Sequence, residues 1–354
     1  MYRVGIIGCG GQGKAHAREW ALLENCEVAA VSDPLPEPLA YMSEHFPQAR
    51  QYPDYQTMMD NEKLDIISIA TWPNQHAAPT IMAAERGIHV LCEKPMGLDL
   101  QECDAMLEAC DRTKVALVIS HNRRSDPRSY KIKSLIESGA IGKLCRAHAA
   151  DKGYDVGYGL MNIGTHIFDM LRLVLGDVQS VFAHLTVEGR DVTRDDIRKE
   201  GPRGTGWVAG EQGTVVLHFA SGIEAVVEWD PADRFGFEFI GTEGRLRTLK
   251  PKHDVFHFPH AVETDENVGD WRRIELTPEE NPYDYPARST REQMMLEMLD
   301  WIEGRRTDHC SDGRAGRAAL EIISAVYWSH IGRDWVDLPL EDARHPLKVW
   351  AGEA

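Results

Sequence analysis

Two stretches of this 354-residue chain place proton-handling and charge-bearing side chains where chemistry can use them. The first is Glu93-Lys94-Pro95, which follows the apolar run Ile88-His89-Val90-Leu91-Cys92. An alcohol holds its proton about as tightly as water, whose pKa is about 15.7, so a fixed cation beside the developing alkoxide helps hydride depart. Lys94 can supply that cation and hydrogen-bond the hydroxyl. It can equally be a surface cation paired with Glu93. The second stretch is Gly159-Leu160-Met161-Asn162-Ile163-Gly164-Thr165-His166-Ile167-Phe168-Asp169-Met170-Leu171. Read as a helix, it sets Asn162 and His166 one turn apart on one face, with Met170, Leu173 and Val174 as an apolar stripe toward the core. Histidine titrates near neutrality and can take a hydroxyl proton as the hydride leaves. Asn162 can donate and accept hydrogen bonds without charge, which suits orienting a polyol. Asp169 either orients the imidazole or, as the plainer expectation, lies on the helix surface. A single histidine on a helix is also commonly structural.

The element that would serve these residues is Gly8-Cys9-Gly10-Gly11-Gln12-Gly13, between the apolar run Val4-Gly5-Ile6-Ile7 and a helix-compatible segment from Lys14 to Leu23. A strand, a glycine turn and a helix N-terminus in that order form an anion site, because free backbone N–H groups and the helix dipole point at the same spot. Gly8, Gly10 and Gly13 fit the spacing that lets a pyrophosphate approach the backbone and a helix pack closely on its strand. A second apolar run, Val28 to Ser32, ends in Asp33, twenty residues after Gly13. A carboxylate there accepts hydrogen bonds from the adenosine ribose hydroxyls and repels a 2′-phosphate, which favours NAD over NADP. Cys9, inside the loop, reads as a small filler rather than an oxidisable thiol.

The remaining pattern supplies the sheet. Pro34-Leu35-Pro36-Glu37-Pro38 turns the chain out of it, and a short helix follows over Leu39 to Phe46. Strand Asp65 to Ala70 delivers Thr71-Trp72-Pro73-Asn74-Gln75-His76 to its carboxyl end, where open parallel sheets hold ligands. A helix from Gln75 to Arg86 closes at Gly87. Asp99 and Glu102 form a capping box for a helix reaching about Arg112, and Val115 to Ile119 is a further strand. This alternation predicts a doubly wound parallel α/β sheet over residues 1–121. Over 122–354 the pattern changes. A helix from Pro127 to Ser138 precedes strands at 144–150, 178–187, 213–219, 223–229, 236–241 and 245–249. Turns at Ser221-Gly222 and Glu243-Gly244 make these antiparallel neighbours. A polar loop spans 189–210, in which Trp207 anchors its own loop or stacks on a sugar, and helices return at 289–303 and 313–331.

Net charge is −17, from 39 basic and 56 acidic residues, which argues against nucleic acid or an anionic membrane as partner and leaves neutral small molecules such as sugars. The amino-terminal residues run straight into the first strand, so no signal peptide is expected, and no apolar run approaches the roughly 18 residues of a membrane span. Seven scattered cysteines without a C-x-x-C pair suggest a reduced, cytoplasmic protein. His16, His76, His121 and His166 are isolated, so no dedicated metal site is expected. No G-x-S-x-G motif suggests a hydrolase.

Taken together, the glycine loop at 8–13, Asp33, the Thr71 to His76 turn, Glu93-Lys94-Pro95, the Asn162 to Asp169 helix and Ser311-Asp312-Gly313-Arg314 resemble the family of glucose-fructose oxidoreductase, inositol 2-dehydrogenase and their relatives (Gfo/Idh/MocA). The resemblance implies a Rossmann domain joined to an α+β domain with an open, mostly antiparallel sheet, and substrate held between them over the nicotinamide. It implies Lys94 and His166 as the proton-handling pair, with Asn162, Arg123 and Tyr154 as substrate contacts. Gly8, Gly10, Gly11, Gln12, Gly13, Asp33, Thr71, Trp72, Asn74, His76, Glu93 and Lys94 would contact the NAD cofactor. The family usually carries aspartate where this chain has Asn162. An amide can only position, whereas a carboxylate can share a proton, and some relatives acting on nucleotide sugars carry asparagine too. A homodimer or homotetramer is implied by analogy. The leading expectation is hydride transfer between a ring hydroxyl of a sugar, sugar derivative or cyclitol and NAD. The alternatives are a redox-neutral cycle, in which transient oxidation leads to elimination or epimerisation, and a non-catalytic sensor of NAD or sugar.

Overall fold

Val4 to Ile7 can be apolar without interruption because the strand that holds them is covered on both faces, as parallel strands are. In the computed structural model, which describes every residue except 153–156, 158, 231–235, 250–253, 285–286 and 354, the chain begins with β1 (Tyr2–Ile7), α1 (Gly11–Leu22) and β2 (Cys26–Ser32). It continues through α2 (Pro36–His45), β3 (Arg50–Tyr52), α3 (Tyr55–Asn61), β4 (Ile66–Ile69) and α4 (Ala77–Glu85), then β5 (His89–Cys92), α5 (Leu100–Thr113) and β6 (Leu117–Ile119). The six strands are parallel in the order β3-β2-β1-β4-β5-β6. The order reverses between β1 and β4, so the carboxyl ends of those two strands flank the crevice in which such sheets bind ligands. The prolines at 36 and 38 open α2 instead of preceding it, because the first helical turn needs no amide donors. The helix expected from Gln75 is a short 3₁₀ turn, Pro73–Gln75, followed by α4.

The chain then forms α6 (Pro127–Glu137), β7 (Leu144–Lys152), a π-helical turn (Leu160–Gly164), α7 (Thr165–Leu175), β8 (Val178–Val187) and β9 (Arg190–Asp191). Next come β10 (Arg198–Gly201), β11 (Gly206–Val208), β12 (Gln212–Phe219), β13 (Glu224–Asp230), β14 (Gly236–Gly241), β15 (Arg245–Leu249), β16 (Asp254–Phe258) and β17 (Arg272–Arg273). The last elements are α8 (Thr290–Ile302), α9 (Gly313–Gly332), β18 (Val336–Asp337) and α10 (Pro346–Ala351). The second sheet has the order β17-β16-β15-β14-β7-β13-β12-β8-β18, with β9 on β8. Its hairpins β12–β13 and β14–β15 are antiparallel, as their turns predict. The expectation that all its strands are antiparallel neighbours is corrected at one place. Strand β7 lies between the two hairpins and runs parallel to β13 while antiparallel to β14, because it seats itself between two strands that turn chemistry alone would join. The segment expected as a plain loop over 189–210 also carries the β10–β11 ribbon and two 3₁₀ turns.

Two units result. One comprises Met1–Ser125, Arg203–Gly206 and Arg288–Leu320; the other comprises Asp126–Pro202, Trp207–Ala287 and Glu321–Ala354. In the first, α8 returns from late in the sequence to the parallel sheet. Met294, Met295, Met298 and Leu299 bury themselves with Trp20, Val28, Ile66 and Val118. Flexible thioethers suit this position, where a helix must fill an irregular surface left by others. Among the described residues no helix is long and apolar enough to cross a membrane.

Candidate active site

The glycine loop is built by two close approaches. Gly8 has φ +86°, and a Cβ there would lie 2.9 Å from the backbone of Ala70 and Thr71 at the end of β4. A Cβ on Gly13 would lie 1.8 Å from the Gly8 carbonyl oxygen, so only glycine lets α1 pack against the turn. Around Gly10 and Gly11, by contrast, a Cβ would meet nothing within 4 Å. The N-cap of α1, Gly10, contributes no side-chain hydrogen bond and no acid stands in the first turn. The amides at this helix start are thus open to an anion and not already capped. Asp33 is buried at the end of β2, where its Oδ2 accepts from the Cys9 amide (2.8 Å) and its Oδ1 from the Leu35 amide (2.9 Å). Each carboxylate oxygen keeps further lone pairs for ribose hydroxyls. The loop and Asp33 therefore fit a dinucleotide. Cys9 is fully buried, and its thiol pKa is pushed up to about 12 by burial and then by the charge of Asp33, so the filler role is the one it occupies.

At the carboxyl ends of β4 and β5, His76 is fully buried with Nδ1 2.9 Å from the Pro95 carbonyl and Nε2 3.2 Å from the Thr71 carbonyl. Burial lowers its pKa, so the ring is neutral and donates to one carbonyl at a time. It ties the two strand ends together. Thr71 Oγ1 donates to the Gln75 carbonyl (3.2 Å), Trp72 is half exposed, and Asn74 is exposed.

Glu93 is the anchor of this edge. Its Oε1 is 2.9 Å from His16 Nε2 and accepts from Ser120 Oγ (3.0 Å), while Oε2 accepts from the Lys94 amide (3.3 Å). His16 is itself fully buried, with Nδ1 2.7 Å from Ser68 Oγ. Burial pushes the Glu93 pKa upward, but the His16 hydrogen bond and charge, with Arg291 and Lys94, overrule it and hold the carboxyl at about 2. Lys94, half-buried, is delivered beside this carboxylate by β5 across a cis peptide to Pro95. Burial lowers its pKa, the charges of Arg123 and Arg203 lower it further, and Glu93 opposes them. Arg123 stands in a 3₁₀ turn, Asn122–Ser125, just beyond β6. Its neighbour Arg124 is turned away, with Nη1 donating to the Cys310 carbonyl (2.9 Å).

Sequence reasoning missed Arg291. From the first turn of α8 its Nη1 donates to Glu19 (3.0 Å) and its Nη2 to Gln12 Oε1 (2.9 Å), with Glu93 Oε1 3.9 Å away. One guanidinium therefore spans the glycine loop and the carboxylate that seats Lys94. His16 and Ser68 were missed as well, although a serine inside the otherwise apolar β4 and a histidine on the inner face of α1 were the available signal.

In the second unit, the helix over 159–171 forms with a difference. Residues Leu160–Gly164 are π-helical and α7 starts only at Thr165, a widening of the turn frequent at functional sites. Asn162 and His166 are half-buried while Leu160, Met161, Gly164, Thr165 and Ile167 are buried, so the two polar side chains share the less covered face. Asp169 is only 1% exposed, which corrects the expectation of a surface acid. Met170 and Val174 are buried as expected, whereas Leu171 and Leu175 take the depth expected of Leu173. Tyr154 lies outside the described residues. Trp207 has Lys199 Nζ 5.4 Å from its ring centroid, a cation–π contact within its own loop.

Glu297, His309 and Cys310 bring a carboxylate, an imidazole and a thiol together in the first unit. His309 Nε2 donates to the Met294 carbonyl (3.1 Å) and Nδ1 accepts from the Ser311 amide (2.9 Å), which uses both ring nitrogens. Cys310 donates to Glu297 (3.1 Å). The trio is a hydrogen-bonded knot beneath α8, and no metal is assigned to it.

A parallel sheet ordered 3-2-1-4-5-6, with an open glycine loop after β1 and an acid after β2, defines the class as a dinucleotide-binding fold. Residues 2–121 match an oxidoreductase family described by its NAD-binding Rossmann fold, and residues 130–247 match the GFO/IDH/MocA C-terminal domain. The chain belongs to the GFO/IDH/MocA family. It is 30% identical to myo-inositol 2-dehydrogenase of Thermotoga maritima over 69% of this chain and 74% of that protein. It is 28% identical to levoglucosan dehydrogenase of Pseudarthrobacter phenanthrenivorans over 95% of this chain and 98% of that protein. A solved levoglucosan dehydrogenase in complex with NADH and levoglucosan shares the fold at TM-score 0.78 and 23% identity, covering 96% of this chain and all of that one.

Proposed function

We propose that this chain is an NAD-dependent dehydrogenase that oxidises a ring hydroxyl of a sugar, sugar derivative or cyclitol. The observation that carries the reading is Lys94, delivered by β5 onto the carboxyl edge that also holds the glycine loop and Asp33, and seated on a buried, ionised Glu93. The amides after Gly10 hold the pyrophosphate and Asp33 the ribose, and NAD when bound supplies the hydride acceptor. Lys94 steadies the substrate oxygen as it gains negative charge. His166 takes the hydroxyl proton, and Asn162 and Arg123 orient the ring. The named relatives are dehydrogenases, which supports net oxidation over a redox-neutral cycle or a non-catalytic sensor. A homodimer or homotetramer and a reducing cytoplasmic setting belong to the same reading. Light scattering of the purified protein checks the first of these.

The test is absorbance at the reduced-nicotinamide band, with added NAD and a panel of sugars, uronates, nucleotide sugars and inositols. One substrate class should give turnover, and Lys94→Met and His166→Asn should each lower kcat by roughly 10²–10⁴. Wild-type turnover in both variants would end the assignment.

A further inference from the structure

Arg291 is a cation in the first turn of α8, where the helix dipole disfavours positive charge and where Ser289 and Glu292 already close a capping box. Its partners on α1 account for the placement. Gln12, His16 and Glu19 follow one another by four and three residues and so share one face of that helix. Arg291 Nη1 donates to Glu19 Oε2 (3.0 Å) and Nη2 to Gln12 Oε1 (2.9 Å). The same Nη2 stands 3.9 Å from Glu93 Oε1, the oxygen that His16 Nε2 approaches to 2.9 Å. Ser289 Oγ donates to the other oxygen of Glu19 (2.9 Å). The side chains of Arg291 and Glu19 are only 15% and 16% exposed, so the fork is held in place largely out of water. All these residues belong to the unit of the parallel sheet.

The effect on Gln12 follows from donor and acceptor chemistry. A guanidinium carries five N–H groups and no acceptor, so the part of the Gln12 amide that meets it is the carbonyl oxygen. The amide nitrogen is thereby turned to the other side, and its two N–H groups have no acceptor among the described residues. Gln12 is exposed and stands in the first turn of α1, beside backbone amides that no side chain caps. A pair of open donors at an uncapped helix start adds to the anion site instead of closing it. Left unheld, the amide could turn either edge to that site, and its oxygen would repel an anion.

We propose that Arg291 is a positioning residue for the cofactor: by holding Gln12 Oε1 it fixes the Gln12 side chain with its NH2 group as a donor to the pyrophosphate of NAD. The inference rests on the NAD-dependent reading and adds to it a residue 279 positions from the one it orients. Arg291 acts through Gln12 and not on the reacting atoms. Its own charge is answered by Glu19, with Glu93 close by, so its task is orientation.

The experiment reads NADH affinity, by fluorescence titration, and Tm together on variants of the full chain. Gln12→Glu still accepts from Arg291 and suits a helix start, so its Tm should equal or exceed that of wild type. It offers the pyrophosphate only oxygens, however, so NADH affinity should fall ~10- to 100-fold. Glu19→Gln weakens the ion pair but leaves the Gln12 contact. Its Tm should fall by roughly 2–6 °C, with NADH affinity within about twofold of wild type. Arg291→Met should lower both, NADH affinity by ~5- to 10-fold. Gln12→Ala alone should cost ~5- to 10-fold in affinity, yet less than about twofold when added to Arg291→Met. The inference is overturned if affinity simply follows Tm, with Gln12→Glu binding as wild type does or Glu19→Gln losing NADH in step with its melting point. Additive losses in the double variant, or a wild type that binds no NADH, overturn it too. Failure of the dehydrogenase reading looks different: this pattern of NADH binding would hold, while no sugar or cyclitol would generate NADH when NAD is supplied.

Discussion

Replacing Glu93 by glutamine tests whether one buried carboxylate both stabilises the parallel-sheet unit and sets the charge on Lys94. Glutamine matches its shape but cannot accept at both ends. Its amide nitrogen would face either the Lys94 N–H or the Ser120 and His16 donors now bonded to the carboxylate. The carboxyl is held at about 2 against an ordinary 4.5. At ~1.4 kcal/mol per pH unit, that difference makes the ionised group worth about 3 kcal/mol in the folded state. The folded pKa is the depressed one, so the stabilisation is complete above pH 4.5 and drains away as pH falls toward 2. For a unit of this size, about 3 kcal/mol corresponds to a Tm lowered by roughly 6–12 °C.

Thermal melts of wild type and Glu93→Gln at neutral pH should show that gap, and the gap should narrow on acidification below pH 4.5, where the wild type loses what the variant never had. Glu93 also raises the pKa of Lys94 against burial and two arginines. Its loss should therefore shift the alkaline limb of the activity profile to lower pH. A neutral-pH Tm within about 1 °C of wild type, or a gap that widens in acid, would refute the reasoning.

Further outcomes follow from the loop and its surroundings. Gly13→Ala places a methyl 1.8 Å from the Gly8 carbonyl oxygen, so NADH affinity by fluorescence titration should fall at least ~100-fold. Asp33→Ala removes the acceptor for the Cys9 and Leu35 amides and the repulsion of a 2′-phosphate; NAD affinity should drop ~10- to 100-fold while NADP affinity rises, as competitive titrations would report. Cys9, buried with its pKa near 12, should resist iodoacetamide at pH 8 while the exposed Cys145 is labelled, as read by peptide mass mapping.

The glycine loop, Asp33 and the run of β4 and β5 were legible because each is a local device. Strands buried on both faces are apolar throughout, and the turn and helix start that make an anion site are contiguous with β1. The chain's π turn was not legible, since Leu160–Gly164 has the same apolar spacing as an α-helix and only packing decides the wider turn. Nor was the burial of Asp169, one turn from a half-buried histidine on an amphipathic helix. Insertion of β7 between β13 and β14 was equally hidden: hairpin turns fix who pairs across a turn, not which strand fills the gap beside it.

Contacts distant in sequence matter more for what the edge can do. Glu93, which seats Lys94, has Arg291 3.9 Å away, 279 residues from the Gln12 it binds, and the strap Arg203–Gly206 returns to the same unit from within the other. Neither has a local signature, because an arginine on a polar helix start or in a polar loop is ordinary surface composition. The division has a physical sense. The parts that bind a dinucleotide repeat one geometry and can be encoded by glycine spacing, whereas the parts that choose a substrate are side chains brought to that geometry from elsewhere. The reaction class was therefore readable from residues 1–121, whereas the partners that Arg291 brings to the loop could be read only from the folded chain.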